Sequence, residues 1–372
     1  MRLFVTGVVG GTLALAAGNA VAADSSVTLY GVADTFVQYL DNGGAHAISQ
    51  RSGGASGSLF GLKGTEDLGG GLSAQFDLEG GYNINSGALF ADTTSLFYRQ
   101  AWVGLASEQY GSLTFGRQYV PSFRVVYPTD PFRLNEVLSP MSANVLAVDR
   151  NTLSTQSGNG RASNAILFQS PNLSGLRFYG MYAFAATVTQ PTPSTSGNML
   201  NVGASYSGYG LYAGLAYVNQ HSGEQTIAGL PGSLSLLGTE HFIGAIAWRI
   251  GVVNLQFNYA YQRSDNPAAR SLAALLGTAH SSSTAELGAT VQATSADVIE
   301  IAFTERDVRG AHDNALGVQV GVDHALSKRT SLYARAGYIK NNGSSTVSWP
   351  GVAVSAPGTQ QVLAGVGMTH RF

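Results

Sequence analysis

Apolar and polar residues alternate at every second position along most of this chain, and that period decides what it can fold into. In 72–79, Leu72, Ala74, Phe76 and Leu78 fall on one side, and Ser73, Gln75, Asp77 and Glu79 on the other. In 253–262, Val253, Leu255, Phe257, Tyr259 and Tyr261 oppose Asn254, Gln256, Asn258 and Gln262. The same holds for 285–292 (Ala285, Leu287, Ala289 and Val291 against Glu286, Thr290 and Gln292) and 316–323 (Leu316, Val318, Val320 and Val322 against Gln319 and Asp323). Successive side chains of a β-strand point to opposite faces, so each segment has one face for apolar surroundings and one for water. The segments run about 10–13 residues, roughly twice the usual strand but right for a tilted strand crossing a bilayer.

The connections sort into two kinds. Seven are tight, at 67–70, 107–110, 170–173, 206–209, 249–251, 293–296 and 325–328. Eight are long and rich in Gly, Ser, Asn and Thr, as exposed loops are, around 40–54, 85–94, 121–160, 187–197, 220–238, 264–282, 307–313 and 341–359. Short and long connections in alternation join sixteen antiparallel strands with both termini on the turn side, and a closed barrel of that size encloses an aqueous channel. Aromatic residues crowd the segment ends (Tyr30, Phe97, Tyr98, Trp102, Tyr110, Tyr206, Tyr209, Trp248, Tyr259, Tyr261, Phe372), where interfacial girdles lie. The chain ends on Phe372. In a membrane its last strand has to pair fully with the first, near 26–38, because lipid tolerates no open edge.

Compartment follows from the N-terminus. Arg2, the apolar run Leu3 to Ala17 and the small residues Ala20 to Ala23 read as a secretory signal peptide over 1–23, with 24–372 as one domain. Its apolar run is short for a membrane span, and no later stretch holds 18 consecutive apolar residues. Loss of Arg2 moves the net charge from −2 to about −3, and no basic run marks a nucleic-acid partner. Cysteine is absent, so stability cannot rest on disulfides.

From Tyr119 to Gly160 the alternation stops. This stretch carries Pro121, Pro128, Pro131 and Pro140, the aromatics Phe123, Tyr127 and Phe132, and charges of both signs. A loop this long inside a compact domain is expected to be functional, here by folding back into the barrel mouth and setting its bore.

Several stretches resemble the general porins of Gram-negative outer membranes, neisserial and Burkholderia type. They are Ser26 to Gly31 (SVTLYG), Gly61 to Gly69 (GLKGTEDLG), Arg99 to Leu105 (RQAWVGL), Phe115 to Gln118 (FGRQ) and the terminal His370, Arg371 and Phe372. The resemblance implies an all-β, 16-stranded transmembrane barrel, trimeric, with its third extracellular loop folded inside. It also implies contact with outer-membrane lipid and lipopolysaccharide, and reading of Phe372 by the outer-membrane assembly machinery. In such porins wall arginines face acids on the inner loop. Carried over by motif, the wall residues are Arg99, Arg117 and Arg161, facing Asp130, Glu136 and Asp149 on the loop, which also brings its own Arg124, Arg133 and Arg150. Arg99 and Arg161 have a second reading, as anchors of the loop through ion pairs with Asp130, Glu136 or Asp149. Leu59 and Val32 stand where the family often has basic residues, which thins the wall ladder.

The function implied is passive diffusion of ions and small hydrophilic solutes, with no cofactor. A substrate-specific channel, which would need an organised site such as an aromatic slide, is the first alternative. A soluble exported β-protein of lectin type is the distant one. The seven histidines (46, 221, 241, 280, 312, 324, 370) show no metal-ligand spacing. No Ser or His stands in a catalytic setting, and Gly69 to Gly71 lack the helix and Lys-Ser/Thr of a phosphate loop. Glu79, Glu286, Glu300 and Arg335 fall on polar faces and are expected to line the lumen.

Overall fold

A computed structural model describes residues 25–141, 160–185, 197–225, 234–277 and 281–372. The signal peptide expected over 1–23, and Asp149 and Arg150 of the long loop, lie outside the described residues.

Among those residues the chain forms β1 (Ser26–Asp41), β2 (His46–Ser52), β3 (Leu59–Gly69), β4 (Leu72–Gly81), β5 (Gln100–Ser107), β6 (Gly111–Tyr119), α1 (Pro121–Val126), β7 (Arg161–Gln169), β8 (Leu176–Ala183), β9 (Met199–Gly208) and β10 (Leu211–Gln220). It continues with β11 (Gly223–Gln225), β12 (Leu234–Leu236), β13 (Thr239–Ile250), β14 (Val253–Ser264), α2 (Leu272–Leu275), β15 (Ser281–Gln292), β16 (Asp297–Val308), β17 (Asp313–Ala325), β18 (Thr330–Gly343) and β19 (Gln360–Arg371). Each wall strand pairs antiparallel with its neighbours, while β11 and β12 form a separate hairpin in a loop. β2 and β3 are two pieces of one wall strand, both paired to β1. With those pieces taken as one, the wall has sixteen strands, and the seven tight turns fall where the sequence places them.

β1 closes the barrel. One edge bonds β2 and β3, and the other bonds β19 from Val32↔Arg371 to Asp41↔Val362. The terminal residue completes the seam, since Gly31 and Phe372 exchange backbone hydrogen bonds of 3.1 Å in both directions. The seam with β19 thus spans 31–41, within and just beyond the expected 26–38, while 26–30 pair on the other edge of β1 only, with β3. Only glycine fits at position 31: a Cβ there would sit 2.3 Å from the Phe372 ring.

The faces are inverted relative to a soluble protein. Leu255, Phe257, Leu287, Leu316 and Val320 are exposed on the outside, while Asn258, Glu286 and Gln319, between them in sequence, are fully buried. Apolar residues turned outward around a closed ring fit lipid, not water. The soluble reading fails on this face. Three aromatics expected in the girdle are inside: the Tyr30 hydroxyl donates to Asp77 at 2.7 Å, the Trp102 Nε1 donates to Gln100 at 3.2 Å, and Tyr98 is buried. Strand parity turns Tyr30 and Trp102 to the lumen, and Tyr98 precedes β5. Tyr110, Tyr209, Trp248 and Phe372 are exposed.

Two loops expected at the surface turn inward. Around the first, β1 runs to Asp41 and β2 resumes at His46, so the outer tip is short and the break falls at 53–58 instead. There the buried Asp34 carboxylate accepts from the backbone N–H of Gly54 (2.8 Å), Ala55 (3.2 Å) and Ser56 (3.0 Å), from the Tyr333 hydroxyl of β18 (2.6 Å) and from the Thr369 hydroxyl of β19. Five donors suit an acceptor-only group. In the last loop Trp349 is fully buried and joins Phe36, Leu138, Ile339 and Leu363 in an apolar cluster.

Asp34 thus ties the 53–58 fold to the two last strands across the seam. Asp34→Ala, which leaves those donors buried and unpaired, is expected to destabilise the barrel by about 3 kcal/mol or more. The check is the temperature at which the folded band converts to the unfolded one in a detergent gel; an unchanged temperature would refute this role.

Candidate functional site: a loop clamped inside the barrel

The alternation stops at Tyr119 because the chain leaves the wall there. Pro121 sits in the first turn of α1, where its missing N–H costs nothing. The helix docks on the inner wall. Ser122 N–H donates to Asn201 Oδ1 (3.1 Å) and Asn201 Nδ2 donates to Ser122 Oγ (2.9 Å). Val125 packs on Ala216 and Ala245, and the Tyr212 hydroxyl donates to the Val125 carbonyl at 2.8 Å.

From α1 the loop follows the inside of the ring. Gln256 and Asn258 of β14 donate to the Pro128 and Thr129 carbonyls at 3.1 and 3.3 Å. Pro131 lies against Gly288 of β15, where a Cβ would come within 2.4 Å of the ring. The Arg335 guanidinium of β18 stands 5.5 Å from the centre of the Phe132 ring. Asn135 Nδ2 donates to the Gly53 carbonyl at 3.0 Å, and Val137 and Leu138 enter the apolar cluster around Trp349. Successive loop residues therefore bind successive strands around the lumen.

The candidate residues divide by partner. Glu136 reaches Arg99 Nη1 through Oε2 at 2.8 Å and Arg161 Nη1 through Oε1 at 2.5 Å. Arg99 also pairs with Glu79 of β4 at 2.6 Å. Both arginines donate to the Tyr119 hydroxyl, at 2.9 and 2.6 Å, and Arg161 lies 4.3 Å from the Tyr119 ring centre. Their side chains are only 8% and 2% exposed. Burial alone would push the Glu136 carboxyl up, but Arg99 and Arg161 outweigh it and hold it below the ordinary glutamate range, so it is ionised at neutral pH. Two arginines and two glutamates make a neutral, buried clamp.

Arg117 and Asp130 stand outside the clamp. Arg117 sits in the bulge between Gly116 and Gln118, donates through Nε to the Tyr98 carbonyl and through Nη1 to Ser163 at 2.8 Å. Asp130 is 1% exposed and turns back on its own loop, accepting from the N–H groups of Phe132 (2.8 Å) and Leu134 (2.7 Å) and from the Ser139 hydroxyl (2.6 Å). That turn puts Arg133, with φ +54°, on the exposed side of the loop. Arg124 projects from α1 on the turn side. Glu300 and Arg335 pair with each other at 2.9 Å, and Asn258 donates to Glu286 at 3.0 Å, so these lumen-facing charges also serve the inner wall. Glu79 and Asn258 were legible only as polar-face residues; nothing in sequence marks them as the loop's wall partners.

Among the described residues no group of three His, Asp or Glu is placed to hold a metal. Nor do the described residues form an aromatic slide. Tyr119 stacks on Phe123 with centroids 4.5 Å apart and carries Arg161 on its ring, so its faces are occupied, and of this run only Tyr127 is exposed.

Comparison with known proteins agrees with the geometry. A family model described as Gram-negative porin matches residues 11–344. Outer membrane porin protein 32 of Delftia acidovorans is 30% identical over 369 residues, covering 96% of this chain and 97% of that one. An outer membrane porin protein of Bordetella pertussis is 29% identical over 408 residues, with 96% and 98% covered. Among solved structures, the anion-selective porin from Comamonas acidovorans superposes with a TM-score of 0.78 at 26% identity, covering 94% of this chain and all of that one. With its outward apolar face, its closed sixteen-stranded wall and its inward loop, the chain belongs to the Gram-negative porin family and forms a diffusion channel of the outer membrane.

Proposed function

We propose that the channel passes small hydrophilic solutes and ions by size-limited diffusion without a substrate-specific site, prefers anions, and works as a homotrimer in lipid and lipopolysaccharide. Passage down a gradient requires no covalent chemistry, so the reading includes no enzymatic role. The observation that carries it is the division of charge among the described residues of the inner loop. The acids Asp130 and Glu136 are consumed by hydrogen bonds and by the clamp, while Arg133 is left exposed. Charge exposed at a narrow part of a pore biases which ion sign enters, and a neutral buried clamp adds little to that field. The name of the Comamonas structure points the same way. Phe372, seated on Gly31 at the seam, fits a C-terminal strand whose last residue is read during assembly.

These roles separate by mutation. In planar bilayers under a KCl gradient, Arg133→Ala is expected to shift the reversal potential toward cations while single-channel conductance stays of the same order. Selectivity unchanged by Arg133→Ala would overturn its role. Glu136→Ala removes one partner from a buried ion pair and leaves two buried guanidiniums short of charge, a loss of about 3–5 kcal/mol. Noisy, stepwise conductance from a loosened loop is the expected outcome; steady wild-type currents would show that the clamp does not hold the loop.

A further inference from the structure

Below the loop, on the short-turn side that faces the periplasm in such barrels, Arg124 of α1, Arg177 of β8 and Arg249 of β13 line one recess of about 690 Å³. Its other polar lining includes the Tyr179, Ser205 and Tyr212 hydroxyls, and no carboxylate lines it. This sets the three apart from the arginines of the clamp and of the far wall. Arg99, Arg161, Arg306 and Arg335 each pair with a carboxylate, whereas among the described residues Arg124, Arg177 and Arg249 have no such partner. Arg124 Nε is buried with no hydrogen-bond acceptor.

The recess is built, not accidental. Its roof cannot swing away, because α1 is held by the Asn201, Val125 and Tyr212 contacts described above. Its walls are neighbouring strands, β8 to β9 to β10 to β13. Arg177 is the second residue of β8 and Arg249 the next-to-last of β13, so both stand at the same rim. Three strand spacings separate them, about 14 Å along the wall, with Arg124 overhead. A chloride ion meets one guanidinium at a time there. A small anion with several oxygens and two or more charges can take donors from two, and guanidinium geometry favours bidentate contact with such oxyanions.

We propose that this recess is a capture site for small polyvalent oxyanions, with phosphate and pyrophosphate as the simplest members. It rests on the channel reading and deepens it. The site lies beside the path below the loop, where it holds such anions near the mouth of the constriction and raises their local concentration over chloride.

The test uses the full, detergent-purified oligomer in planar bilayers at low KCl, where screening is weakest, with sodium pyrophosphate added to both chambers. Saturable reduction of each channel's own open current is expected, and Arg177→Gln/Arg249→Gln should raise the half-blocking concentration about tenfold, as loss of charge-assisted hydrogen bonds implies. Titration calorimetry of the same proteins with pyrophosphate should show the same weakening. Both substitutions are on exposed side chains and leave α1 intact, and an unchanged heat-modified gel band confirms the fold. Open channels without a saturable pyrophosphate effect, or equal block in the double variant, overturn the capture site and leave the channel standing. Folded protein that forms no channels sinks the channel reading, and this inference with it.

Discussion

Lipid offers no partner to a backbone N–H or C=O, and the rest of this structure follows from that absence. An unpaired backbone group in hydrocarbon costs several kcal/mol, so the sheet has to close and its first and last strands have to meet. The meeting is secured beyond the ladder of backbone bonds. Gly31 and Phe372 bond reciprocally at one end of the seam, and Asp34 gathers donors from the 53–58 fold, β18 and β19 near its middle. The break between β2 and β3 is therefore a device of closure. It lets three backbone N–H groups leave the ladder and find the one buried carboxylate that also holds the last strands.

Closure in turn creates a lumen that a polar wall cannot fill by itself. A sixteen-stranded ring is too wide for side chains to pack across, and its interior apolar contacts come from loops brought in from one end. The Trp349 loop and the long loop meet around Leu138, and α1 buries Val125 on the opposite wall. The inside is in effect a second, smaller core made of loop and wall, with polar contacts setting its register. Asn201, Gln256, Asn258 and Asn135 each bond a loop backbone group or side chain, which satisfies a segment that has no ladder of its own.

Much of this was legible in the sequence, for a plain reason. Period two is imposed by the solvent on either side of the wall, so strand number, turn positions and the long interruption can be read from local pattern alone. What could not be read depends on the path of the loop. Asp130 and Glu136 lie six positions apart with the same chemistry, yet one caps its own backbone and the other clamps two arginines. Tyr30 and Trp102 sit near strand ends, as girdle residues do, but parity turns them inward. Asp34 stands in an ordinary strand, and only the seam gives it five partners. Arg177 and Arg249 are 72 positions apart and share a rim only because of strand order.

The fate of each arginine is decided by whether the fold supplies it an acid. A guanidinium always carries its charge, so a buried one is steadied by a carboxylate, and Arg99 and Arg161 have Glu79 and Glu136. Once paired they hold position strongly, but their far field cancels. An arginine left in water keeps its field, which salt screens beyond about 8 Å under physiological conditions, a distance comparable to the reach of one side chain. Charges that steer ions therefore have to stand at the path itself, the role proposed for the exposed Arg133. Charges that hold the path open are better hidden, which is why a thin wall ladder, with Leu59 and Val32 in place of basic residues, is compatible with a selective pore.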